Sequence, residues 1–330
     1  MASISIIMPV FNAGLYLREC LDSIVAQREQ DWELIAVDDH STDDSWDILL
    51  AYHKRDSRIR VLKNVQKGII TALRLAFSQA SGAFITRMDA DDKMTSDRLS
   101  RMKQQLLVFG KGHLSIGGVK YFTDGVLGNG YKRYESWLNQ LTKTGDSFSE
   151  IYKECVIPSP CWMVYKVDLV SVGAFDSDIY PEDYDLCFRF YKKGLKVIPE
   201  GRILHHWRDY AIRSSRTDPH YADSAFIDIK VNYFLELDWD KTKQLVLWGA
   251  GKKGKRIAEK LHKKGIDYRW ICNQERKWGH RLHGTVFEDS RELSGISNPQ
   301  IIVVVASPEE QNLIKHELAE LEVVDYFFFC

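Results

Sequence analysis

The hydrophobic pattern of the first hundred residues alternates between two periods. Apolar runs that predict buried strands cover residues 3–10, 33–37, 60–62 and 83–88. Apolar residues at helical spacing fill the intervals between these runs, and the segment Ser41-Thr42-Asp43-Asp44 predicts the capped start of the second helix. Such repeated strand–helix units predict a mostly parallel sheet with helices on both faces.

The same alternation restarts near residue 241, after a less regular middle region. A strand is predicted at 245–248, and Gly249, Gly251 and Gly254 open the helix that follows it. Strands at 267–272, 301–306 and 323–329 and a helix at 308–321 complete a unit of about ninety residues. We therefore predict two domains, residues 1–240 and 241–330, of which the second is small and Rossmann-like.

Composition narrows the class of protein. The 330 residues carry a formal net charge of -1, which gives no support to a nucleic-acid partner. No apolar stretch is long enough for a membrane helix, and the N-terminus does not resemble a signal peptide, so a cytoplasmic location is expected. Peripheral association with a membrane stays open. The six cysteines are scattered and predict free thiols, with a Cys155–Cys161 bridge as the minor alternative.

Acidic residues follow two of the predicted strands. Asp38 and Asp39 end one strand, and Asp89-Ala90-Asp91 follows another. Because ligands bind beyond the carboxyl ends of parallel strands, both acidic pairs are expected in one crevice. Carboxylates suit Mg²⁺ or Mn²⁺, which stabilise a diphosphate leaving group. A carboxylate there can also accept a hydrogen bond from the N–H of uracil or thymine, and Asp92 is assigned to the start of the next helix.

Four segments together resemble a family 2 glycosyltransferase of the GT-A fold. They are SIIMPVFNAGLYLRECLDSIVAQ, ELIAVDDHSTDDS, GIITALRLAFSQASGAFITRMDADD and EDYDLCFR. The resemblance covers roughly residues 3–215 and extends to the small Rossmann-like module often appended to bacterial members. It implies a catalytic domain with a GT-A-type, mostly parallel sheet flanked by helices, a nucleotide-sugar donor and inversion at the anomeric carbon.

The resemblance also implies roles for individual residues. Pro9, Phe11 and Asp39 would border the base, with Asp38 in the same pocket. Asp89 would contact the ribose and Asp91 the metal. Asp183 would be the catalytic base, and Glu182 would support the acceptor or orient that base.

The segment HHWRDYAIRSSR resembles the part of the family that closes over the donor. His205 or His206 would supply a metal ligand there, and Arg213 or Arg216 would grip the diphosphate. The alternative is a solvated basic turn with packed histidines. Trp162 is a candidate for stacking on an acceptor sugar, with a core tryptophan as the alternative.

The glycine pattern at Gly249, Gly251 and Gly254 is typical of a dinucleotide site, but the expected ribose-binding acid is missing. The sequence at that point reads Cys272-Asn273-Gln274. NAD is therefore not expected, and a structural, oligomerising or regulatory role is favoured over nucleotide binding.

These observations lead to one main hypothesis and two alternatives. The main hypothesis is an inverting, metal-dependent transferase that moves a sugar from a UDP-sugar to a hydroxyl of a glycan or lipid-linked saccharide in surface polysaccharide synthesis. The first alternative is a nucleotide-binding regulatory or assembly protein that uses the C-terminal module, which could also form a homo-oligomer. The second is a sugar nucleotidyltransferase, which would need a glycine- and lysine-bearing phosphate loop where the chain reads Pro9-Val10-Phe11-Asn12-Ala13-Gly14.

Overall fold

The protein forms two compact units. The computed structural model describes residues 2–211 and 213–330, with the side chains of residues 214 and 215 outside the description. Backbone contacts assign Met1–Ser149 and Val156–Asp218 to the first unit, and Glu150–Cys155 and Pro219–Cys330 to the second. Each unit is described by itself below.

The first unit has strands in its interior and helices on its faces. Its strands are β1 (Ile4–Val10), β2 (Trp32–Asp38), β3 (Ile59–Lys63), β4 (Phe84–Arg87), β5 (Lys93–Met94), β6 (His113–Ile116), β7 (Gly118–Phe122), β8 (Trp162–Tyr165), β9 (Lys196–Ile198) and β10 (Ile203–Arg208). Its helices are α1 (Gly14–Val25), α2 (Ser45–Arg55), α3 (Ile69–Ser78), α4 (Arg98–Phe109), α5 (Asn129–Thr144), α6 (Lys166–Ser171), α7 (Glu182–Lys193) and α8 (Ser214–Thr217).

Among the described residues, seven of these strands form one sheet in the order β3-β2-β1-β4-β8-β6-β9. The strands β3, β2, β1 and β4 are parallel, while β8 runs antiparallel to both of its neighbours. Nearly every residue of β1 and all of β2 are buried, as expected for central strands covered on both faces. The carboxyl ends of β1, β2 and β4 therefore meet at one edge. A small second sheet, β5-β10-β7, supplies further residues of the unit.

Two details of the acidic segments differ from the predictions. Helix α2 begins at Ser45, and the hydroxyl of Ser41 accepts a hydrogen bond from the Asn12 amide instead of capping this helix. Asp92 precedes the short strand β5, whereas the next helix begins only at Arg98. In both segments the polar side chains make tertiary hydrogen bonds, Ser41 with the Asn12 amide and Asp92 with His205.

The second unit is a smaller α/β sandwich. Its elements are α9 (Asp223–Leu237), β11 (Gln244–Trp248), α10 (Lys252–Lys263), β12 (Arg269–Cys272), β13 (Arg281–Leu282), β14 (Thr285–Asp289), β15 (Pro299–Val303), α11 (Pro308–Glu320) and β16 (Tyr326–Phe328). Six strands form the sheet β13-β14-β12-β11-β15-β16 within the described residues, and all of its pairs except β13–β14 are parallel.

An aromatic cluster explains why this unit contains residues before the predicted boundary at 240/241. Tyr152 stacks on Phe329 at 5.1 Å between ring centroids and meets Phe234 of α9 edge-on at 5.7 Å. The Tyr152 hydroxyl also donates to Asp238. Residues 150–155 and helix α9 thus share their core with the C-terminal strand, which moves the division of the chain away from the predicted one.

Two further expectations concern the chain as a whole. All six cysteines carry free thiols, so the Cys155–Cys161 alternative is not realised. In the described part of the chain, helices that combine the length and apolarity needed to cross a bilayer are absent.

Candidate functional site

The carboxyl ends of β1 and β2 carry the residues predicted to meet a base. The Asp39 carboxylate is hydrogen-bonded within the protein. It accepts hydrogen bonds from the Gly68 amide at 2.9 and 3.0 Å and from Asn64 Nδ2 at 2.7 Å. These bonds fix the start of α3. Asp38 is also buried, yet its Oδ1 has no hydrogen-bond partner among the described residues. A buried, unsatisfied carboxylate oxygen is costly, and Asp38 differs in this from Asp39.

Phe11 lies just beyond the end of β1 and is partly open to solvent. Its side chain is 42% exposed, and the ammonium of Lys67 lies 4.2 Å from its ring centroid. Pro9 is half-buried within β1 opposite Val37. An exposed aromatic ring beside an unsatisfied carboxylate suits a flat heterocycle that carries an N–H group.

The loop after β4 gathers three aspartates. Asp89 accepts a hydrogen bond from Nε of Arg87 at 2.8 Å. Burial, and next the neighbouring Asp92 carboxylate, raise the pKa of Asp91 to about 7, against the opposing effect of Arg213 and a hydrogen bond from Tyr210. Burial and the charge of Asp89 likewise raise the pKa of Asp92. This crowding of desolvated carboxylates favours a positive charge among them.

His205 is fully buried behind this loop. Its Nε2 lies 2.9 Å from Oδ2 of Asp92, and its Nδ1 lies 2.9 Å from Nη1 of Arg98. Because a guanidinium only donates, Nδ1 must accept and Nε2 must carry the proton. Burial and then the Arg98 cation hold the pKa of His205 well below its usual range. Both ring nitrogens of His205, one of the two candidate metal ligands, are thus bonded within the protein in this arrangement.

His206 is the remaining choice. It is half-buried and meets the Phe122 ring edge-on at 6.3 Å between ring centroids. Burial and then Lys93 lower its pKa, so its ring is neutral near pH 7. A neutral imidazole is the form that binds metals.

The two predicted arginines differ in their surroundings. Burial lowers the pKa of Arg213, but Asp92 and Asp91 outweigh that effect and leave the pKa raised. Its guanidinium also lies 5.7 Å over the Trp207 ring. Arg216 instead makes a bidentate contact with Asp209, at 2.8 and 2.9 Å. Arg213 is thus a buried cation whose charge acts on the acidic loop, whereas Arg87 and Arg208 bond to that loop directly, at Asp89 and at the Asp91 carbonyl. Arg216 pairs with Asp209 instead.

The predicted base motif forms the first turn of α7. Glu182 is buried and accepts a hydrogen bond from Nη1 of Arg87 at 3.0 Å. Asp183 lines a small cavity with Ser159 and Trp162. Burial, and next the Glu182 carboxylate, raise the pKa of Asp183, while Arg87 opposes them. A carboxylate with a raised pKa at a cavity wall is suited to accept a proton near neutral pH.

Trp162 lies in the core. Its side chain is 2% exposed and meets Phe190 of α7 edge-on at 6.0 Å. It helps to form the cavity wall beside Asp183, but an exposed face for stacking on a sugar ring is not available in this arrangement. The alternative of a core tryptophan is the one that the structure favours.

Other residues that contact the acidic loop were not predicted. Arg87, Arg98, Arg208 and Tyr210 each bind an acidic-loop residue or its immediate partner. Arg87 left a signal in the sequence, since it is a basic residue at the end of the otherwise uncharged strand FITR, two positions before Asp89. A buried cation of this kind requires a nearby anion.

The glycine pattern of the second unit is accounted for mainly by packing. Gly249 adopts φ +128, and a Cβ there would lie 2.5 Å from the carbonyl oxygen of Val304. A Cβ at Gly254 would collide with the Gly249 carbonyl, whereas a Cβ at Gly251 would meet open space. At the end of β12, Asn273 accepts a hydrogen bond from Trp248 at 2.7 Å. Two of the three glycines are therefore explained without a ligand.

Comparison with known proteins bears on this arrangement. A profile of the family described as Glycosyl transferase family 2 matches residues 5–172, about half of the chain. Glycosyltransferase GlyA of Streptococcus pneumoniae serotype 4 is 27% identical over 217 residues, which are 62% of this chain and 30% of that protein. The chain spans about a third of the length of the first curated relatives that it matches, at 30% and 35%.

Solved structures share the fold at low identity. S. aureus TarS 1-349 in complex with UDP-GlcNAc superposes with a TM-score of 0.52 at 18% identity, covering 80% of this chain and 72% of that chain. The mannosyltransferase PcManGT of Pyrobaculum calidifontis, in complex with GDP-Man and Mn²⁺, gives 0.52 at 17% identity, covering 77% and 67%. The expected fold class, a GT-A-like sheet followed by a C-terminal parallel sheet, is thereby confirmed. The chain belongs to glycosyl transferase family 2.

Proposed function

We propose that this protein transfers a sugar, with inversion, from a UDP-sugar to a hydroxyl of a glycan or lipid-linked saccharide. The observation that carries the proposal is the set of desolvated carboxylates in the first unit. Asp38 has an unsatisfied oxygen, and Asp91 and Asp183 have raised pKa values. Each of these acids suits a different part of the reaction.

The donor base is proposed to contact Asp38 and Phe11. A uracil N–H would donate to the unsatisfied Oδ1 of Asp38, and its ring would lie near the exposed face of Phe11. A guanine base also carries N–H donors, and one structural neighbour was solved with GDP-Man. The preference for the pyrimidine rests on the family resemblance.

The acidic loop fits a divalent cation by its chemistry. Asp91 presents a carboxylate that burial and Asp92 make unfavourable without a counter-charge, and His206 offers a neutral imidazole. Within the described residues, no group of three His, Cys, Asp or Glu side chains is arranged to hold a metal. Oxygens of the diphosphate and of water would therefore complete the coordination of Mn²⁺ or Mg²⁺. Such a cation, when bound, neutralises the charge that develops on the leaving diphosphate.

Asp183 is proposed as the catalytic base. Its carboxylate takes the proton of the acceptor hydroxyl while that oxygen forms a bond to the anomeric carbon. The bond from the anomeric carbon to the diphosphate breaks, and its electron pair leaves with the nucleoside diphosphate. Arg213, a buried cation whose charge acts on Asp92 and Asp91, would stabilise that negative charge.

The second unit is proposed to have a structural or oligomerising role. Its sheet edge uses its polar groups internally, as the Trp248–Asn273 hydrogen bond illustrates. For the whole protein we propose a place in surface polysaccharide synthesis on the cytoplasmic side, with peripheral contact to a membrane where the acceptor is lipid-linked. This last point rests on the family resemblance.

The loop after β1 disfavours the nucleotidyltransferase alternative. In that class the backbone amides after the first strand bind phosphate. Here the amides of Asn12, Ala13 and Gly14 donate to Ser41 Oγ, Ser45 Oγ and Asp43 Oδ2, at 3.0, 2.9 and 2.9 Å. These amides are occupied, and the neighbouring carboxylates would repel a phosphate.

A donor panel tests the proposal. Binding and slow hydrolysis of UDP-glucose, UDP-N-acetylglucosamine, UDP-galactose and GDP-mannose would be measured with and without Mn²⁺, beside NADH. We expect Mn²⁺-dependent binding of at least one UDP-sugar. Preference for GDP-mannose would overturn the uridine assignment, and binding of NADH alone would favour a regulatory protein that acts through its C-terminal module.

A further inference from the structure

Arg87 joins two parts of the candidate site that are far apart in sequence. From the end of β4 its Nε donates to Asp89 Oδ1 at 2.8 Å, and its Nη1 donates to Glu182 Oε1 at 3.0 Å. Asp89 belongs to the loop proposed to meet the donor, and Glu182 begins the helix that carries the proposed base. One planar cation thus contacts both the donor side and the base side.

The burial of these groups makes the contact a strong constraint. The side chains of Arg87 and Glu182 are each 6% exposed, and that of Asp89 is 21% exposed. A guanidinium presents its donors in a fixed fork, so satisfying both carboxylates determines the direction of each. Lysine has a single ammonium on a flexible stem and would not impose the same geometry.

Within the described residues, three charged groups act most strongly on Asp183. They are Glu182 on its own helix, Arg87 at the end of β4 and Asp89 on the loop after β4, and the Cys187 thiol lines the same cavity. Two of the three charges are negative and disfavour ionisation of Asp183. Arg87 is the positive charge among them, and it binds both of the negative ones.

We propose that Arg87 is a positioning residue that holds Asp89 and Glu182 in fixed relation, so that the donor and the base at Asp183 are presented together. This inference rests on the proposed function. It assigns Arg87 no contact with the substrate. The raised pKa of Asp183, which Arg87 opposes, agrees with such a role.

The test compares Arg87→Gln and Arg87→Lys with the full-length protein and with Glu182→Gln. In Arg87→Gln we expect kcat for donor turnover to fall about 100-fold while the donor KM rises much less. The acidic limb of the pH–rate profile should move up by about 1 pH unit, because one opposing positive charge is lost. Arg87→Lys should restore the profile in part. An unchanged profile with unchanged kcat in Arg87→Gln would overturn the inference.

A double variant keeps the test valid if Arg87→Gln does not fold. Arg87→Gln/Glu182→Gln replaces the ion pair by two neutral groups and avoids leaving a buried charge unpaired. We expect the pH–rate profile of the double variant to lie closer to that of the parent than the profile of Arg87→Gln does. Identical shifts in Arg87→Gln and in the double variant would contradict the coupling between Arg87 and Glu182. Arg291→Gln is the control, since Arg291 is 79% exposed and pairs with Asp289 in the second unit, and it should change neither kcat nor the profile.

A measurement that needs no turnover separates this inference from the proposed function. The titration of Asp183 would be followed by NMR of ¹³C-labelled aspartate in the parent and in Arg87→Gln or, if that variant does not fold, in Glu182→Gln and the double variant. The titration midpoint of Asp183 should be about 1 pH unit higher in Arg87→Gln than in the parent. It should likewise be about 1 pH unit higher in the double variant than in Glu182→Gln. If the parent hydrolyses no nucleotide sugar, the proposed function fails. If the midpoint of Asp183 is the same with and without Arg87, the inference fails.

Discussion

The two units present the same kind of edge, where parallel strands end and helices begin, yet the edges differ in chemistry. In the first unit the edge carries Asp38 with an unsatisfied oxygen and the crowded loop of Asp89, Asp91 and Asp92. In the second unit, Lys277 Nζ donates to the Ala250 carbonyl at 2.8 Å, and Trp278 Nε1 donates to that of Cys272 at 2.8 Å. The first edge holds one unsatisfied carboxylate oxygen and a cluster of crowded carboxylates, whereas these groups of the second edge are paired within the protein.

This difference teaches that a ligand site is marked by unsatisfied chemistry more than by a motif. The glycine pattern after β11 has the spacing of a dinucleotide site, but Gly249 and Gly254 are required by close backbone contacts. The acidic pair after β4 is a weaker pattern in sequence. The structure adds that burial and the neighbouring Asp92 disfavour the charge of Asp91 and raise its pKa.

The largest effect is expected from removing the proposed base. Asp183→Asn keeps the shape of the side chain but cannot accept the proton, so transfer should fall about 10²–10⁴-fold. Binding of the UDP-sugar, measured by calorimetry, should stay close to that of the parent. Asp178→Asn is the control, because Asp178 is an exposed acid whose side chain is 81% accessible. Transfer by Asp183→Asn at the parent rate would remove Asp183 from the mechanism.

A smaller loss is expected from Asp38→Asn. A hydrogen bond to a charged group contributes about 1.5–3 kcal/mol, so UDP affinity should fall about 10- to 100-fold, with little loss of thermal stability. Asp39→Asn is the matched variant, and it should mainly lower the melting temperature, since Asp39 is bonded to Gly68 and Asn64. If Asp39→Asn loses UDP affinity at unchanged stability, the division of roles between the two acids is reversed.

The pH dependence of transfer should follow the raised pKa of Asp183. The base acts only when deprotonated, so kcat/KM should rise about tenfold per pH unit below that pKa and level off above it. An acidic limb centred near the ordinary aspartate pKa would show that Asp183 is not the group observed. Glucose release from a UDP-glucose donor, measured from pH 5 to 9, gives the profile.

The smallest effects on transfer are expected in the second unit. Gly254→Ala should destabilise that unit by about 1–3 kcal/mol through its clash with the Gly249 carbonyl. Gly251→Ala meets open space and should change stability by less than about 1 kcal/mol. Differential scanning calorimetry compares the two, and neither variant should alter donor hydrolysis by the folded protein. Loss of NADH binding in Gly251→Ala would make this edge a second nucleotide site.

The sequence predicted most strands of the first sheet but few of the polar contacts. The alternation of apolar runs predicted β1, β2, β3 and β4, because a buried parallel strand must be apolar along its whole length. The same reasoning missed that Ser41 binds the Asn12 amide and that Asp92 binds His205. Local patterns favour helix caps at both positions, and only the folded chain offers the distant partners.

The sequence by itself determined the family, the parallel sheet and the order of its acidic segments, because periodicity and short motifs are local properties. The tertiary structure decided which of two adjacent acids is unsatisfied, which of two adjacent histidines is occupied, and that Arg87 joins segments 95 residues apart. Each of these features depends on which polar groups are buried together, and this burial depends on the packing of distant segments. Adjacent residues of the same type, such as Asp38 and Asp39, differ only in how distant segments pack around them.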